Sequence, residues 1–213
     1  MNRLNVATVG RIACSFCSAV LLPIGILIVF FSSPADTSAD MPGSNQVIRK
    51  IVFGSCIKQD LPTPIFYTMA GEFPDLILFL GDNIYADTED MTEMRAKYDR
   101  LEANADFRRL RSEFPIMATW DDHDFGVNDG GADFPQREAS EQEFMRFWDV
   151  PSQSPIRTRT GVYDAKIFGP EGQRVQVIML DTRYFRSPLK KSEKRVGGPY
   201  VSDDSPTKTM LGE

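Results

Sequence analysis

The sequence predicts an α/β fold, and three observations support this prediction. Short apolar runs begin near residues 51, 76 and 116, and each run stops at a cluster of small or polar residues. Segments rich in helix-forming residues separate the runs. Strands that alternate with helices are typical of a parallel sheet. The 213 residues are enough for one domain with a substantial core.

The first elements follow a regular order. Residues 47–53 are predicted as the first strand. A helix is predicted over residues 64–72, with Thr63 as its N-cap and Pro64 at its first position. Residues 75–80 form a continuous apolar run that is short enough for a buried parallel strand.

Two helices are predicted before the third strand. Residues 92–105 are rich in helix formers, and residues 106–114 continue as a second helix capped by Asp106. The third strand covers residues 116–119. An amphipathic helix over residues 138–148 places its aromatic side chains toward the core.

The last predicted elements are a pair of strands. Residues 161–168 and 174–180 have strand character, and a turn with two glycines and a proline joins them. Residues 187–209 are polar and interrupted by proline and glycine, so a loop is expected there.

The only histidine of the chain lies in an aspartate-rich segment that follows the third strand. His123 is surrounded by five polar residues: Asp121, Asp122, Asp124, Asn128 and Asp129. Carboxylates at this density repel one another unless a cation or solvent separates them. Hard oxygen donors beside one imidazole suit a metal site, although the same residues also favour a solvated turn.

Each of the three strands ends in residues that could bind a ligand. Ligands of open α/β sheets bind beyond the carboxyl ends of the strands, where the ends converge. Convergence in one sheet would bring five side chains to one rim: Cys56, Asp82, Tyr85, Asp122 and His123. Three such clusters in succession favour a metal site over three unrelated turns.

These motifs resemble those of the PhoD-like alkaline phosphatases, a branch of the calcineurin-like metallophosphoesterases. The resemblance covers roughly residues 48–189 and includes Gly161-Val162-Tyr163 and the segment 180–186. It implies a two-sheet α/β sandwich over residues 48–213, with metal ions at the strand ends. It also implies hydrolysis of phosphomonoesters or phosphodiesters, with iron and calcium as the metals.

The resemblance implies roles for individual residues. Cys56, Asp82 and Tyr85 would be metal ligands, and Asp82 would bridge two metal ions. Two metals about 3.5–4 Å apart would generate a hydroxide and clamp the phosphoryl oxygens for in-line attack. Asp122 would replace the asparagine that other calcineurin-like enzymes carry before their histidine. His123 would then protonate the leaving alkoxide.

Several of these roles have a simpler structural alternative. His123 could bind a metal or hold its loop in place. Asn128 is either an oxygen ligand of a metal or a turn residue. Arg183 could bind a substrate phosphate through two hydrogen bonds, or form a salt bridge to Asp181 or Asp124.

The amino-terminal residues have the composition of an export signal. Residues 1–35 contain two arginines followed by an uncharged apolar stretch, and residues 36–47 form a linker. Both a cleaved signal peptide and a retained membrane anchor agree with this pattern. Cys14 and Cys17 lie in this leader, which leaves Cys56 as a lone cysteine. Cys56 is then either a buried thiol or a thiolate ligand.

Charge and missing motifs exclude several function classes. The net charge is −6, from 24 basic and 30 acidic residues, which disfavours nucleic-acid binding. A small phosphate ester remains compatible, because bound metal ions would supply a local positive field. The sequence lacks the glycine-rich nucleotide motifs and the Gly-x-Ser-x-Gly motif of serine hydrolases.

The resemblance also predicts that the domain is incomplete. The family draws two or more further histidine ligands from the carboxy-terminal half of its domain, whereas His123 is the only histidine here. We therefore expect a truncated sandwich and a chain that is inactive or nearly so. The alternative is a non-catalytic, membrane-tethered remnant that binds metal or a partner.

Overall fold

The computed structural model describes residues 38–193 and 199–212. The expected leader, including Cys14 and Cys17, lies outside these residues. Within the described part of the chain, no helix is long and apolar enough to cross a membrane.

The three predicted strands form one parallel sheet. The strands are β1 (Ile51–Gly54), β2 (Leu76–Leu80) and β3 (Ile116–Thr119), in the order β1-β2-β3. Ile77 of β2 pairs with Val52 on one side and with Ile116 on the other. The parallel arrangement brings the carboxyl ends of all three strands to the same edge. The predicted α/β class is confirmed.

Helices cover one face of this sheet. They are α1 (Ile65–Gly71), α2 (Met91–Glu102), α3 (Ala105–Glu113) and α5 (Arg137–Phe147). The short helix α4 (Asp122–Phe125) follows the carboxyl end of β3. A 3₁₀ turn, Pro155–Thr158, follows α5. The main hydrophobic core packs Ile77 and Phe79 of β2 against fully buried helix residues, including Phe66, Met94, Tyr98 and Phe107.

Two predicted helix starts were wrong. Pro64 occupies the N-cap position of α1 and makes no side-chain cap hydrogen bond, while Thr63 accepts a hydrogen bond from Asn104. Asn104 is also the N-cap of α3, because its side-chain oxygen accepts hydrogen bonds from the backbone N–H groups of Asp106 and Phe107. Asp106 is therefore in the first turn of α3 rather than at its cap.

The predicted strand pair forms a separate antiparallel hairpin. It consists of β4 (Asp164–Phe168) and β5 (Val175–Met179). Phe168, Val177 and Met179 pack in one cluster with Leu76 and Met117 of the parallel sheet. The complete two-sheet sandwich of the calcineurin-like family remains a prediction.

The aspartate-rich segment after β3 is more than a solvated turn, because Asp122–Phe125 form the short helix α4. Asp121 and Asp124 form a capping box at its amino terminus, in which each side chain accepts a hydrogen bond from the backbone N–H of the other residue. This turn fixes the backbone on which Asp122 and His123 stand.

Candidate metal centre

The site lies where the turn after β2 meets the turn after β3. Gly81 has a φ of +103°, and an added Cβ there would lie 2.6 Å from both the Cβ and the backbone nitrogen of Asp121. Glycine is required because it tolerates both the positive φ and the close approach. The two turns can therefore pack with their backbones almost in contact.

A buried carboxylate, Asp124, ties these two turns together. Its oxygens accept backbone N–H groups from Asp82, Asn83 and Asp121, and also the side-chain amide of Asn83. Burial raises the pKa of Asp124 to about 8, although the N–H donors of Asn83 and Asp121 oppose this shift. Asp124 is thus a structural anchor of the site, with its oxygens already used by protein donors.

Three side chains of the site approach closely enough to share a cation. Asp82, Asp122 and His123 each offer one ligand atom, and these atoms lie within 4.8 Å of one another. Asp82 is 7% exposed, and its Oδ1 atom is buried without a hydrogen-bond partner among the described residues. A buried carboxylate oxygen without a donor is costly unless a cation compensates it. The donor set therefore fits a metal ion.

Burial and neighbouring charges act in opposite directions on the Asp82 carboxylate. Burial is the largest effect and raises the pKa of Asp82, and the nearby carboxylates of Asp121 and Asp122 raise it further. The His123 imidazole opposes this shift. Two carboxylates this close would be stabilised in their charged forms by a cation between them.

Cys56 and Tyr85 converge on the other oxygen of Asp82. The Cys56 Sγ atom and the Tyr85 hydroxyl lie 3.5 Å and 3.3 Å from the Asp82 Oδ2 atom. Burial is the main cause that raises the pKa of Tyr85, and the neighbouring Cys56 and Asp82 add to it. The structure thus brings together the three residues that the resemblance implies as metal ligands.

Asp122 is held from two sides. Its Oδ2 atom accepts the backbone N–H of Asp129 at 2.7 Å, and its Oδ1 atom lies 3.4 Å from Nη2 of Arg183. Burial raises the pKa of Asp122, but the Asp129 N–H group and the Arg183 charge outweigh it, so the net pKa is lowered. Asp122 is therefore stabilised as a carboxylate, which is the form that binds a metal.

Arg183 and Asn128 have contacts that differ from the simplest expectations. The Arg183 side chain forms salt bridges with Asp121 (2.5 Å) and Asp122, rather than with Asp181 or Asp124. Only its backbone N–H reaches Asp181. Asn128 is exposed, and its side-chain amide donates a hydrogen bond to the side chain of Asp129.

His123 contacts a residue that was not among the predicted site residues. Its Nδ1 atom lies 2.6 Å from Oδ1 of Asp87, and its ring lies 4.2 Å from the ring of Tyr85, centroid to centroid. Burial lowers the pKa of His123, but the hydrogen bond and the charge of Asp87 outweigh it, so the net pKa is raised above 6.5. Asp87 follows β2 in the same short segment as Asp82 and Tyr85. This position in the sequence could have identified it as a site residue.

The fold and the site together define a class. The protein is a parallel α/β protein whose strand ends gather carboxylates, an imidazole, a thiol and a phenol into a candidate metal centre. The chain belongs to the PhoD-like phosphatase family, because the family's model matches residues 51–213.

Two individual relatives support this assignment. Alkaline phosphatase D of Bacillus subtilis (strain 168) is 24% identical over 203 residues, covering 81% of this chain and 34% of the relative. A solved structure of PhoD matches with a TM-score of 0.62 and 22% identity, covering 81% of this chain and 38% of that chain. The structural likeness supports the fold, and this chain spans less than two fifths of the length of either relative.

Proposed function

We propose that this site hydrolyses phosphoric esters with the help of bound metal ions. The observation that carries the proposal is the approach of Asp82, Asp122 and His123 to within 4.8 Å, beside an Asp82 oxygen that has no hydrogen-bond partner in the part of the chain that the structure describes. Membership of the PhoD-like phosphatase family supports the reaction class.

The proposed ligands divide around Asp82. Cys56, Asp82 and Tyr85 would hold one ion, because the sulfur and the phenol both lie near the same Asp82 oxygen. Asp82 would also bind a second ion, for which Asp122 would be a further ligand. Asn128 would bind this second ion once its side-chain amide no longer donated a hydrogen bond to Asp129. Thiolate and phenolate ligands suit iron, and carboxylate and amide oxygens suit calcium.

The remaining residues would act on the substrate. When bound, the metal ions supply Lewis acidity and activate a water nucleophile. His123 would donate a proton to the leaving-group oxygen as the P–O bond breaks. Arg183 would bind a phosphoryl oxygen, and this requires that its guanidinium release Asp121 or Asp122.

The proposed substrate is a small phosphate ester, and the proposed location is outside the cytoplasm. The net charge of −6 argues against nucleic acid as the substrate. Export rests on the composition of residues 1–35, which include two arginines and a long apolar stretch. Contact with a membrane is proposed only through this segment.

One observation favours a second candidate function, in which the protein binds metal without turnover. The Arg183 guanidinium is engaged by Asp121 and Asp122, and its Nη1 atom is buried without a hydrogen-bond partner among the described residues. In this arrangement Arg183 neutralises two carboxylates, and its guanidinium N–H groups are not directed to a bound phosphate.

Metal content and turnover, measured on the same preparation, separate the two functions. The full chain is loaded with iron and calcium, its bound metal is measured, and hydrolysis of 4-nitrophenyl phosphate and bis(4-nitrophenyl) phosphate is followed. We expect Asp82→Asn to lower both bound metal and kcat/KM by about 100-fold or more. The exposed residue Asp106 offers a matched control, Asp106→Asn, that should change neither.

Each outcome decides between the candidates. Bound metal with turnover that depends on Asp82 supports the hydrolase. Bound metal without turnover supports the binding protein. A preparation that binds no metal, or a turnover that Asp82→Asn leaves intact, overturns the proposed metal centre.

A further inference from the structure

The segment that follows β1 is bonded to the turn that follows β2. The backbone N–H of Cys56 donates to the carbonyl oxygen of Gly81 at 3.2 Å. The backbone N–H of Ile57 donates to the carbonyl oxygen of Asp82 at 2.7 Å, and the Ile57 side chain is buried in the main hydrophobic core. The segment is therefore held in place where it passes the candidate ligand Asp82.

Gln59 holds the same segment on the other side of Lys58. The buried Gln59 side chain accepts the backbone N–H of Tyr85 at 2.9 Å, and its amide donates to the Tyr85 carbonyl oxygen at 3.3 Å. Lys58 thus lies between two buried residues, Ile57 and Gln59, and is itself exposed. The backbone on which Lys58 stands is fixed, while its ammonium group stays in contact with solvent.

The Lys58 ammonium group lies beside the candidate metal centre. Its Nζ atom is 5.1 Å from the centre of the Tyr85 ring. The hydroxyl of that ring lies 3.3 Å from Oδ2 of Asp82. A single tyrosine ring therefore separates this cation from the Asp82 carboxylate, and the flexible stem of a lysine lets the ammonium group move toward a bound anion.

Lys58 differs from Arg183 and His123 in having no carboxylate partner. Arg183 forms salt bridges with two aspartates of the site, and His123 contacts a third. Asp60, the acidic residue nearest to Lys58 in the sequence, is paired with Arg100 instead. Lys58 forms no salt bridge within the part of the chain that the structure describes, and its contact there is with the Tyr85 ring. Its charge is available to an anion from solvent.

We propose that Lys58 is a specificity-determining residue, which binds a phosphoryl oxygen of the substrate and favours phosphomonoesters over phosphodiesters. This inference rests on the proposed phosphoric ester hydrolysis. A phosphomonoester carries a charge of about −1.5 to −2 at neutral pH and presents three acceptor oxygens. A diester has a smaller charge and one fewer such oxygen. An unpaired ammonium group therefore attracts the monoester more strongly.

The contact with Tyr85 also has a simpler explanation. An ammonium group over an aromatic ring is attracted by the ring without any ligand. If Lys58 served only this contact, loss of its charge would disturb Tyr85 and would slow the hydrolysis of both kinds of ester by the same factor. The ratio of the monoester rate to the diester rate separates the two roles.

This ratio is measured on the full-length, metal-loaded protein with 4-nitrophenyl phosphate and bis(4-nitrophenyl) phosphate, which share a leaving group. We expect Lys58→Gln to lower kcat/KM about 10-fold for the monoester and less than about twofold for the diester. Lys58→Arg keeps the charge and should restore most of the monoester rate. Lys50→Gln is the control, because Lys50 is an exposed lysine just before β1, at the opposite edge of the sheet.

Anion binding gives a second readout that needs no turnover. Inorganic phosphate at alkaline pH is mainly a dianion, whereas dimethyl phosphate is a monoanion. The full-length, metal-loaded protein is titrated with each anion by calorimetry. We expect Lys58→Gln to weaken the binding of inorganic phosphate about 10-fold and to change that of dimethyl phosphate by less than about twofold.

The two measurements distinguish failure of this inference from failure of the proposed function. If Lys58→Gln slows both esters equally, or leaves phosphate binding unchanged, the selective role of Lys58 is overturned even in an active phosphatase. A wild type that binds neither anion overturns it as well. A wild type without turnover overturns the hydrolase, and the titrations with the two anions then decide the role of Lys58.

Discussion

At the scale of single residues, the site combines backbone strain with close contacts. Four residues near the cluster have positive φ values without being glycine: Cys56, Asp82, Asp87 and Asp129. Positive φ values are uncommon for residues other than glycine, asparagine, aspartate and histidine. Cys56, with a φ of +63°, is therefore the least expected of the four. Their concentration at the strand ends agrees with a site in which geometry is held at some cost in stability.

Gly81 provides a direct test of this close packing. In Gly81→Ala, the new Cβ would lie 2.6 Å from the backbone nitrogen of Asp121 and would impose a φ of +103° on alanine. We expect a loss of about 2–4 kcal/mol in the free energy of unfolding, measured by urea denaturation. Gly71→Ala, where nothing lies within 4 Å, is the control and should be close to neutral. A similar stability for both variants would contradict the packing described here.

At the scale of elements, apolar periodicity predicted the strands well, whereas helix ends were less predictable. The third strand, Ile116–Thr119, was predicted at its observed bounds, and β2, β4 and β5 lie inside the predicted ranges. The first strand, Ile51–Gly54, begins later than the predicted range of 47–53 and ends one residue beyond it. Two polar residues separated by one alanine, Asn104 and Asp106, can each serve as the cap of α3, and sequence alone does not rank them. Asn104 takes this position because its amide also bonds Thr63, which lies 41 residues away in the sequence.

The two candidate caps of α3 can be compared by mutation. Asn104→Ala removes the acceptor of two backbone N–H groups and the bond to Thr63, so we expect a loss of about 1–2 kcal/mol in stability. Asp106→Ala should cost less than about 0.5 kcal/mol, because Asp106 contributes only a favourable charge to the first turn. Thermal unfolding of both variants would show which cap operates, and a larger loss in Asp106→Ala would restore the original prediction.

At the scale of the whole molecule, buried carboxylates connect distant segments. Asp181 accepts bonds from the Trp120 indole and from the backbone of Val162, and so joins β5 to the start of the α4 turn. Glu141 of α5 is 5% exposed, and its Oε1 atom has no hydrogen-bond partner among the described residues. Burial raises the pKa of Glu141 to about 7, and the charge of Asp181 adds to the shift.

This buried carboxyl group makes stability depend on pH. A carboxyl group whose pKa rises from 4.5 in the unfolded chain to about 7 in the fold stabilises the fold only while it is protonated. Its contribution is full at low pH and is lost as the pH rises from 4.5 through 7. We expect Glu141→Gln to be about 2 kcal/mol more stable than the wild type at pH 8, and to lose this advantage near pH 4.5.

Denaturation curves of Glu141→Gln and the wild type at several pH values test this expectation. Glu171→Gln, a change at an exposed loop position, is the control and should follow the wild type at every pH. A stability difference that does not vary with pH would mean that the Glu141 carboxyl group titrates in the fold as it does in the unfolded chain.

The sequence by itself determined the fold class, the succession of strands along the chain and the placement of candidate ligands at strand ends. These features follow from local patterns, because apolar runs define strands and parallel strands share one edge for their carboxyl ends. The approach of Cys56, Asp82, Tyr85, Asp122 and His123 agrees with that expectation, and their individual metal and catalytic roles remain predictions.

Only the tertiary structure decided which partner each polar group selects. Asp124 became an anchor, His123 paired with Asp87 across 36 residues, and Arg183 paired with Asp121 across 62 residues. Several aspartates lie close together in the sequence, and from the sequence alone any of them could form these contacts. The choice depends on which backbone segments pack together, and distances of a few tenths of an ångström between those segments decide which hydrogen bonds form.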